Sequence, residues 1–338
     1  MDNFSPSIVV WYRQNKRFLP WRESNDPYII WLSEIILQQT RVEQGIHYFE
    51  KFRNKYPTVI DLANATEQEI LNDWQGLGYY SRARNLHFSA KYVRDELKGI
   101  FPVSYEEIIK LKGVGQYTAS AISSFAFDEE KAVVDGNVYR LLSRVFDIST
   151  PIDSTQGKKE FQSLADELIQ HNKFGAGIHN QAIMELGSQI CSPKKPKCSL
   201  CPLESICLSK MNDSIALRPI KVKKIKIRNR YFHFLIYSNR TSILIEKRVK
   251  KDIWENMYQF PLIESNSSPS INEKENWKRQ IKESEEIIHI LSHQKIYAVF
   301  HHFDFIPNEH NENWHLINIE NLEDYPIPRL IDKYLNNN

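Results

Sequence analysis

From the N-terminus to about residue 190, apolar side chains recur every three or four positions, a period that predicts helices and no strands. Ile8, Val9, Trp11, Tyr12 and Phe18 alternate with Arg and Lys between Pro6 and Leu19, and the pattern stops before Pro20. Asp26-Pro27 opens a denser run from Tyr28 to Thr40, with Pro27 suited to a first helical turn. Further helices are expected at Val42 to Tyr56, Glu67 to Gln75, Ser81 to Leu97, Tyr105 to Lys110 and Thr118 to Phe127. The pattern resumes at Val138 to Phe146, Lys158 to His171 and His179 to Ile190. Beyond Met211 the period becomes two: strands are expected at Tyr231 to Tyr237, Ser242 to Lys247, Ile296 to Phe305 and His315 to Ile319, with a polar loop at Ser265 to Glu275. A helical part and a separate α+β domain follow from these two periods.

Several polar residues interrupt the patterns where chemistry is conceivable. Glu34 is the only charge between Tyr28 and Thr40 and has apolar neighbours on nearly every side of the helical wheel. On a solvent face it is inert, whereas burial would raise its pKa and make it a proton donor. Leu111 to Ala119 reads as helix, Gly-Val-Gly hairpin, helix, in which Gly113 and Gly115 can take positive φ and leave backbone amides free for a phosphate. Asp135 follows Val133-Val134 and precedes a helical pattern, the position of an N-cap in apolar surroundings. Trp74 to Arg84 is a glycine-punctuated turn with two tyrosines and two arginines, suited to helix connection or to insertion between stacked bases.

Composition adds two constraints. The 41% apolar residues in 338 can fill the cores of two or three domains, and the net charge of +2 is uninformative, but Arg218 to Arg230 carries seven Lys/Arg and no acid. No apolar stretch is long enough to span a bilayer and the N-terminus carries no apolar signal segment, so a cytoplasmic chain is expected. All four cysteines, Cys191, Cys198, Cys201 and Cys207, fall within 17 residues. Only one Cys-x-x-Cys knuckle is present where structural zinc usually has two, which leaves zinc open but less suited, and a chain without an export signal does not favour disulfides.

In order and spacing, the hairpin and the following Asp135 resemble the helix-hairpin-helix base-excision DNA glycosylases, and Trp31-Leu32-Ser33-Glu34, Gln38-Gln39-Thr40 and Asn180 to Gly187 resemble their MutY-type adenine branch. The likeness runs from about Leu19 through the cysteine loop and continues more loosely beyond it. It implies an all-α two-lobed helix-hairpin-helix glycosylase core with an iron-sulfur loop, followed by an α+β Nudix-like C-terminal domain. The implied boundaries are 1–210 for the core, with a six-helix barrel at about 25–130 and a cluster lobe of 1–24 plus 131–210, then a basic linker at 211–230 and the Nudix-like domain at 231–338.

The implied activity is a monofunctional, monomeric enzyme of the bacterial cytoplasm and nucleoid that hydrolyses adenine from duplex DNA where it is mispaired with 8-oxoguanine or guanine. By this resemblance Glu34 is the acid and Asp135 the essential carboxylate, with Tyr117 and Asn137 beside them. Arg22 and Gln181 line the base pocket, Gln39 wedges into the duplex, and Thr40, Leu77 and Tyr79 lie on the 8-oxoguanine side. Gly113 and Gly115 meet DNA phosphate, and Cys191, Cys198, Cys201 and Cys207, spaced Cys-x6-Cys-x2-Cys-x5-Cys, hold a 4Fe-4S cluster.

In the second domain Ser292 and His293 match a lesion-sensing Phe-Ser-His motif, with Leu291 in place of Phe, on what reads as a helix-to-strand connection. Tyr258 and Gln259 stand where Trp and Glu are usual, and Arg279 to Ser284 is at best a remnant of a Nudix box, so binding rather than hydrolysis is expected there. Two rival readings are a bifunctional glycosylase-lyase, against which Tyr117 occupies the lysine's place, and a non-catalytic iron-sulfur DNA-binding module.

Overall fold

The computed structural model describes residues 3–222, 226–265, 279–308 and 311–337. They form two compact units, Met1–Asn64 with Asn85–Lys223, and Ala65–Arg84 with Lys224–Asn338.

The first unit is helical. Its elements are α1 (Phe4–Asn15), α2 (Pro27–Leu37), α3 (Val42–Lys55), α4 (Val59–Asn64), most of α6 (Ser81–Asp95), α7 (Tyr105–Ile108), α8 (Gln116–Phe127), α9 (Gly136–Val145), α10 (Thr155–Gln170), α11 (Ala176–Gln189) and α12 (Leu208–Met211). Asp26 caps α2 by accepting from Tyr28 N at 2.8 Å, and Pro27 starts the helix without an amide to satisfy. Every residue from Ile30 to Ile36 is buried, because α2 packs against both α3 and α8. In α9, Val138, Leu141, Leu142 and Val145 make the i, i+3, i+4, i+7 stripe that joins Phe4, Ile8, Val9 and Tyr12 of α1 and Ala182, Ile183 and Leu186 of α11 in one core. Gly187 lets α11 approach the start of α9, since a Cβ there would meet the Asn137 backbone oxygen at 2.9 Å.

The helical expectations hold with shifted ends: α8, α9, α10 and α11 start two or three residues before the expected positions. α2 stops at Leu37, three residues before the expected end, and Gln39 has φ +60° in the turn that follows. Tyr105–Ile108 is a single turn, and α4 was not anticipated. Of the two hairpin glycines, Gly113 has φ +85°, while Gly115 has φ −98° as the N-cap of α8 and does not take the positive φ expected of it. Much of the expected linker is packed: Ile152 N donates to Ile220 O at 3.0 Å and Arg218 pairs with Asp147 at 3.0 Å.

The second unit contains α5 (Glu67–Asp73), the start of α6, strands β1 (Arg228–Tyr237), β2 (Ser242–Lys247), β3 (Tyr258–Gln259), β4 (Leu262–Ser265), β5 (Gln280–Glu283), β6 (Ile287–Ile290), β7 (Gln294–Phe303) and β8 (Trp314–Asn318), and α13 (Arg329–Asn336). One sheet runs β4-β1-β7-β5, with β6 also on β7; β1 and β7 are parallel in register from Arg228↔Gln294 to Tyr237↔Phe303. The other sheet runs β3-β2-β8. Stacked rings tie the first sheet to α13: Phe234 on Phe300 at 5.0 Å and Phe300 on Tyr334 at 3.8 Å between centroids. The stretch 65–84 is fastened to the same unit, with Arg84 on Glu255 at 2.8 Å, Asn256 on Glu67 at 2.6 Å, and Gln68 and Asn72 both on Asp324 O at 2.9 and 2.8 Å.

Leu291-Ser292-His293 is the turn of a hairpin between β6 and β7, with Leu291 N donating to Gln294 O at 2.8 Å, and not a helix-to-strand connection. The short run Ile287 to Ile290 pairs with β7 although it has an apolar residue on both faces, which hid its period. The polar loop expected at Ser265 to Glu275 lies, past Ser265, outside the described residues.

Candidate active site

Five segments of the first unit converge on a cavity of about 270 Å³, near the lower end of small-ligand pockets at about 300 Å³. Arg22, Glu34, Thr40, Tyr117, Asp135, Asn137 and Gln181 all line it. Helix α2 supplies Glu34, α8 supplies Tyr117, the N-terminus of α9 supplies Asp135 and Asn137, and α11 supplies Gln181. Gln39 is exposed in the turn after α2 and does not line the cavity.

The two carboxyls are in different electrostatic situations. Burial pushes Glu34 up to about 7; a hydrogen bond with Tyr117 opposes this and the nearby Asp135 adds to it. Burial also raises Asp135 above the ordinary carboxylate value, but three N–H groups oppose it. Asp135 Oδ1 accepts from Asn137 N at 2.9 Å and Val138 N at 2.8 Å, and Oδ2 accepts from Asn137 Nδ2 at 2.7 Å. Asp135 is thus the N-cap of α9 and a cavity-lining carboxylate at once. Burial likewise raises the Tyr117 phenol well above its ordinary value, with Glu34 adding to the effect.

Sequence reasoning missed Tyr12, Arg17 and Glu185. Glu185, whose side chain is 1% exposed, accepts from Arg17 Nε at 2.7 Å and from Arg22 Nη2 at 2.7 Å. Burial alone would raise its pKa, yet Arg17 and Arg22 together hold it down at about 2. Tyr12 Oη donates to Gln181 Oε1 at 2.5 Å. Gln181, Glu185 and Ser188 recur on one face of α11, but a polar stripe facing water has the same spacing, so the sequence carried no distinguishing signal.

The four cysteines, none in a disulfide, line a second cavity of this unit whose wall also includes Leu141, Val145, Ile190 and Ile215. Burial pushes the Cys201 thiol up to about 11, with Cys191, Cys207 and Cys198 adding to it. Among the described residues no group of three His, Cys, Asp or Glu is gathered around one ion position. Arg144 braces the loop, with Nη1 donating to Ser192 O at 2.8 Å and lying 3.4 Å from Cys191 Sγ. Arg140 donates to Cys191 O at 2.6 Å, to Gly187 O at 2.5 Å and to Asn137 Oδ1 at 2.9 Å, joining the cysteine loop to the start of α9.

In the second unit, Leu77, Tyr79, Ser292 and His293 line one cavity of about 370 Å³ with Trp254 and Leu291. Tyr79 is 44% exposed, has φ +48°, and its hydroxyl is hydrogen-bonded to that of Ser292.

Comparison with known proteins agrees with this architecture. A model of the HhH-GPD superfamily of base excision DNA repair proteins matches residues 32–170, and a NUDIX domain model matches residues 232–337. Adenine DNA glycosylase of Buchnera aphidicola subsp. Baizongia pistaciae is 36% identical over 337 residues, 96% of this chain and 94% of that protein. The human adenine DNA glycosylase is 44% identical over 213 residues, 60% of this chain and 39% of its own. Among solved structures, a thermostable thymine-DNA glycosylase aligns with TM-score 0.57 at 30% identity, covering 62% of this chain and 95% of that one. An endonuclease III trapped as a covalent intermediate with DNA aligns with TM-score 0.53 at 21% identity, over 62% of this chain and 94% of that one, and shares the fold. No described helix is long and apolar enough to cross a membrane. Because the likeness to the Buchnera protein extends through both units at 36% identity, this chain belongs to the adenine DNA glycosylases, base excision repair enzymes of the helix-hairpin-helix superfamily.

Proposed function

We propose that the chain is monofunctional and hydrolyses adenine from duplex DNA where it is mispaired with 8-oxoguanine or guanine, acting as a monomer in the bacterial cytoplasm. The observation that carries this reading is the pair Glu34 and Asp135 on one cavity, the first held near neutrality at about 7 and the second bonded by three N–H groups that favour its anion. Glu34 donates a proton to the adenine ring and turns it into an acceptable leaving group. As the glycosidic bond breaks the sugar gains oxocarbenium character, and the Asp135 anion stabilises it or bonds to it transiently, as carboxylates do in retaining glycoside hydrolysis. Tyr117 and Asn137 orient these two carboxyls, Arg22 and Gln181 contact the flipped base, and water completes the reaction. Gln39 fills the space that the base vacates, while the hairpin at Gly113 and Gly115 meets phosphate.

Absence of a lyase step is supported by Tyr117, which stands where a bifunctional relative carries its Schiff-base lysine. Lys112 is exposed with Nζ 4.3 Å from the Phe88 ring centroid, and among the described residues no lysine lines the cavity.

Selectivity for 8-oxoguanine is assigned to the cavity of the second unit, with Tyr79 as the intercalating ring, Leu77 packed beside it and Ser292 against the edge that the lesion alters; Thr40 belongs with the catalytic cavity that it lines. Hydrolysis by the Nudix-like part is not proposed: Gln280–Glu283 is a strand, and Asp252 and Glu264 are both held by Arg230 at 2.7 and 2.6 Å.

Four thiols around one largely apolar wall fit a 4Fe-4S cluster held by Cys191, Cys198, Cys201 and Cys207. When bound, such a cluster supplies rigid cross-linking of the loop and an electron-transfer centre. This chain's own Arg144 and Arg140 hold the loop backbone that presents those thiols.

The test is release of free adenine from duplexes containing adenine opposite 8-oxoguanine, guanine or thymine. Release in the first two with intact abasic product, and no borohydride-trapped adduct, is expected. Efficient trapping would establish the bifunctional alternative.

A further inference from the structure

The amide of Gln181 is held from behind the cavity. Tyr12, 5% exposed, sits on α1 where α1 packs against α11, and its phenol donates to Gln181 Oε1 at 2.5 Å. The Tyr12 ring is itself pinned, with the Arg22 guanidinium 5.5 Å from its centroid. Arg22 is fixed in turn by Glu185 Oε2 at 2.7 Å and by Arg17 O at 3.2 Å. Among the described residues Gln181 Nε2 takes no protein partner, so its N–H groups remain for an occupant of the cavity.

We propose that Tyr12 is a positioning residue that locks the Gln181 amide in one polarity and thereby sharpens the choice of adenine over purines with a 6-oxo group. This rests on the reading of Gln181 as a contact to the flipped base. A primary amide exchanges its donor and acceptor by a half-turn about its last torsion. Adenine presents a donor at position 6 and an acceptor at position 1, whereas hypoxanthine presents a carbonyl at 6 and an N–H at 1. A freely turning amide satisfies either base. Turning the amide of Gln181 would take the acceptor away from the buried Tyr12 phenol, which has no other among the described residues, and an unmade buried hydrogen bond is costly. The lock therefore leaves Gln181 only N–H to offer, which at position 1 pairs with the ring acceptor of adenine and opposes the N–H of hypoxanthine.

The test is single-turnover release of adenine and of hypoxanthine, each opposite 8-oxoguanine, by the full chain and by Tyr12→Phe, Gln181→Ala and the double variant. Tyr12→Phe is expected to lower the adenine-to-hypoxanthine rate ratio by about fivefold, the size of one net hydrogen bond. Gln181→Ala should lower it at least as far, and the double variant no further than Gln181→Ala alone. Because both rates come from one preparation, their ratio does not depend on how much of it is folded. An unchanged ratio in Tyr12→Phe, with a shifted one in Gln181→Ala, overturns the lock and leaves the base contact standing. An unchanged ratio in Gln181→Ala removes the base contact and the lock with it.

Discussion

Asn137 holds the Asp135 carboxylate with both of its nitrogens, the backbone N on Oδ1 at 2.9 Å and Nδ2 on Oδ2 at 2.7 Å. One residue therefore fixes the orientation of the carboxylate and contributes to its charge balance. Asp135→Asn is expected to keep duplex affinity and to lose about 100-fold or more in single-turnover adenine release, since the shape survives while the anion opposite the developing cation does not. Asn137→Ala should lose less, because the backbone bonds from positions 137 and 138 do not depend on that side chain. Near-normal cleavage by Asp135→Asn would take Asp135 out of the reaction.

As the proposed acid, Glu34 is expected to give the enzyme a pH dependence with a definite sign. Burial raises its folded pKa from 4.5 to about 7, so the acid is available below about 7 and the rate should fall as pH rises through that value. Stability moves the same way. The cost of ionising the buried group is absent below about 4.5, grows between the two values and is complete above about 7, where it reaches about 3 kcal/mol. Glu34→Gln should accordingly lose all but a residual rate, be more stable than wild type in urea at pH 8, and equal it at pH 4. An alkaline loss of activity that persists in the residual rate of Glu34→Gln would belong to another group.

For the cysteine loop, purified protein is expected to contain about four iron and four sulfide per chain. Asp147 secures the segment behind Cys207. Hydrogen bonds from Asn212, Ser214 and Ser209, with Arg218 nearby, hold its carboxyl down at about 2. The stability these contacts give is complete above the ordinary value of 3.8 and is lost as pH falls through about 2. Asp147→Ala should release iron to a chelator faster than wild type at neutral pH, with Asp147→Asn in between. Stoichiometric zinc without iron in anaerobically produced protein would overturn the cluster assignment.

In the second unit the hydroxyls of Tyr79 and Ser292 are hydrogen-bonded to each other. Replacing Ser292 and His293 together by Ala is expected to lower the preference for adenine opposite 8-oxoguanine over adenine opposite guanine while sparing the chemical step. Tyr79→Phe keeps the ring and removes the bond, so it should retain more affinity than Tyr79→Ala. Affinity and single-turnover rate on both duplexes decide it; wild-type discrimination by the double variant would place the reader elsewhere.

The sequence made parts of this arrangement legible because they break a rule. Glu34 stands out as one charge in an apolar run, Asp135 as a polar residue between β-branched neighbours and a helix, and the cysteines by crowding. Tyr12, Arg17 and Glu185 break no rule: in an amphipathic helix or its flank, a polar residue committed to a buried ion pair has the same spacing as one facing water. Only the folded arrangement distinguishes them, by placing Glu185 beneath two guanidinium groups. The β6-β7 hairpin was hidden for a related reason, as Ile287-Ile288-His289-Ile290 has no clean alternation.

Gly187 is outside the cavity, yet the smallest possible side chain there would press on Asn137, meeting its Cβ and its backbone oxygen both at 2.9 Å. A glycine-to-alanine change at 187 enlarges one residue by a single carbon and shifts the donor that carries Asp135. Gly187→Ala is therefore expected to slow adenine release by displacing Asn137, although residue 187 lies outside the cavity.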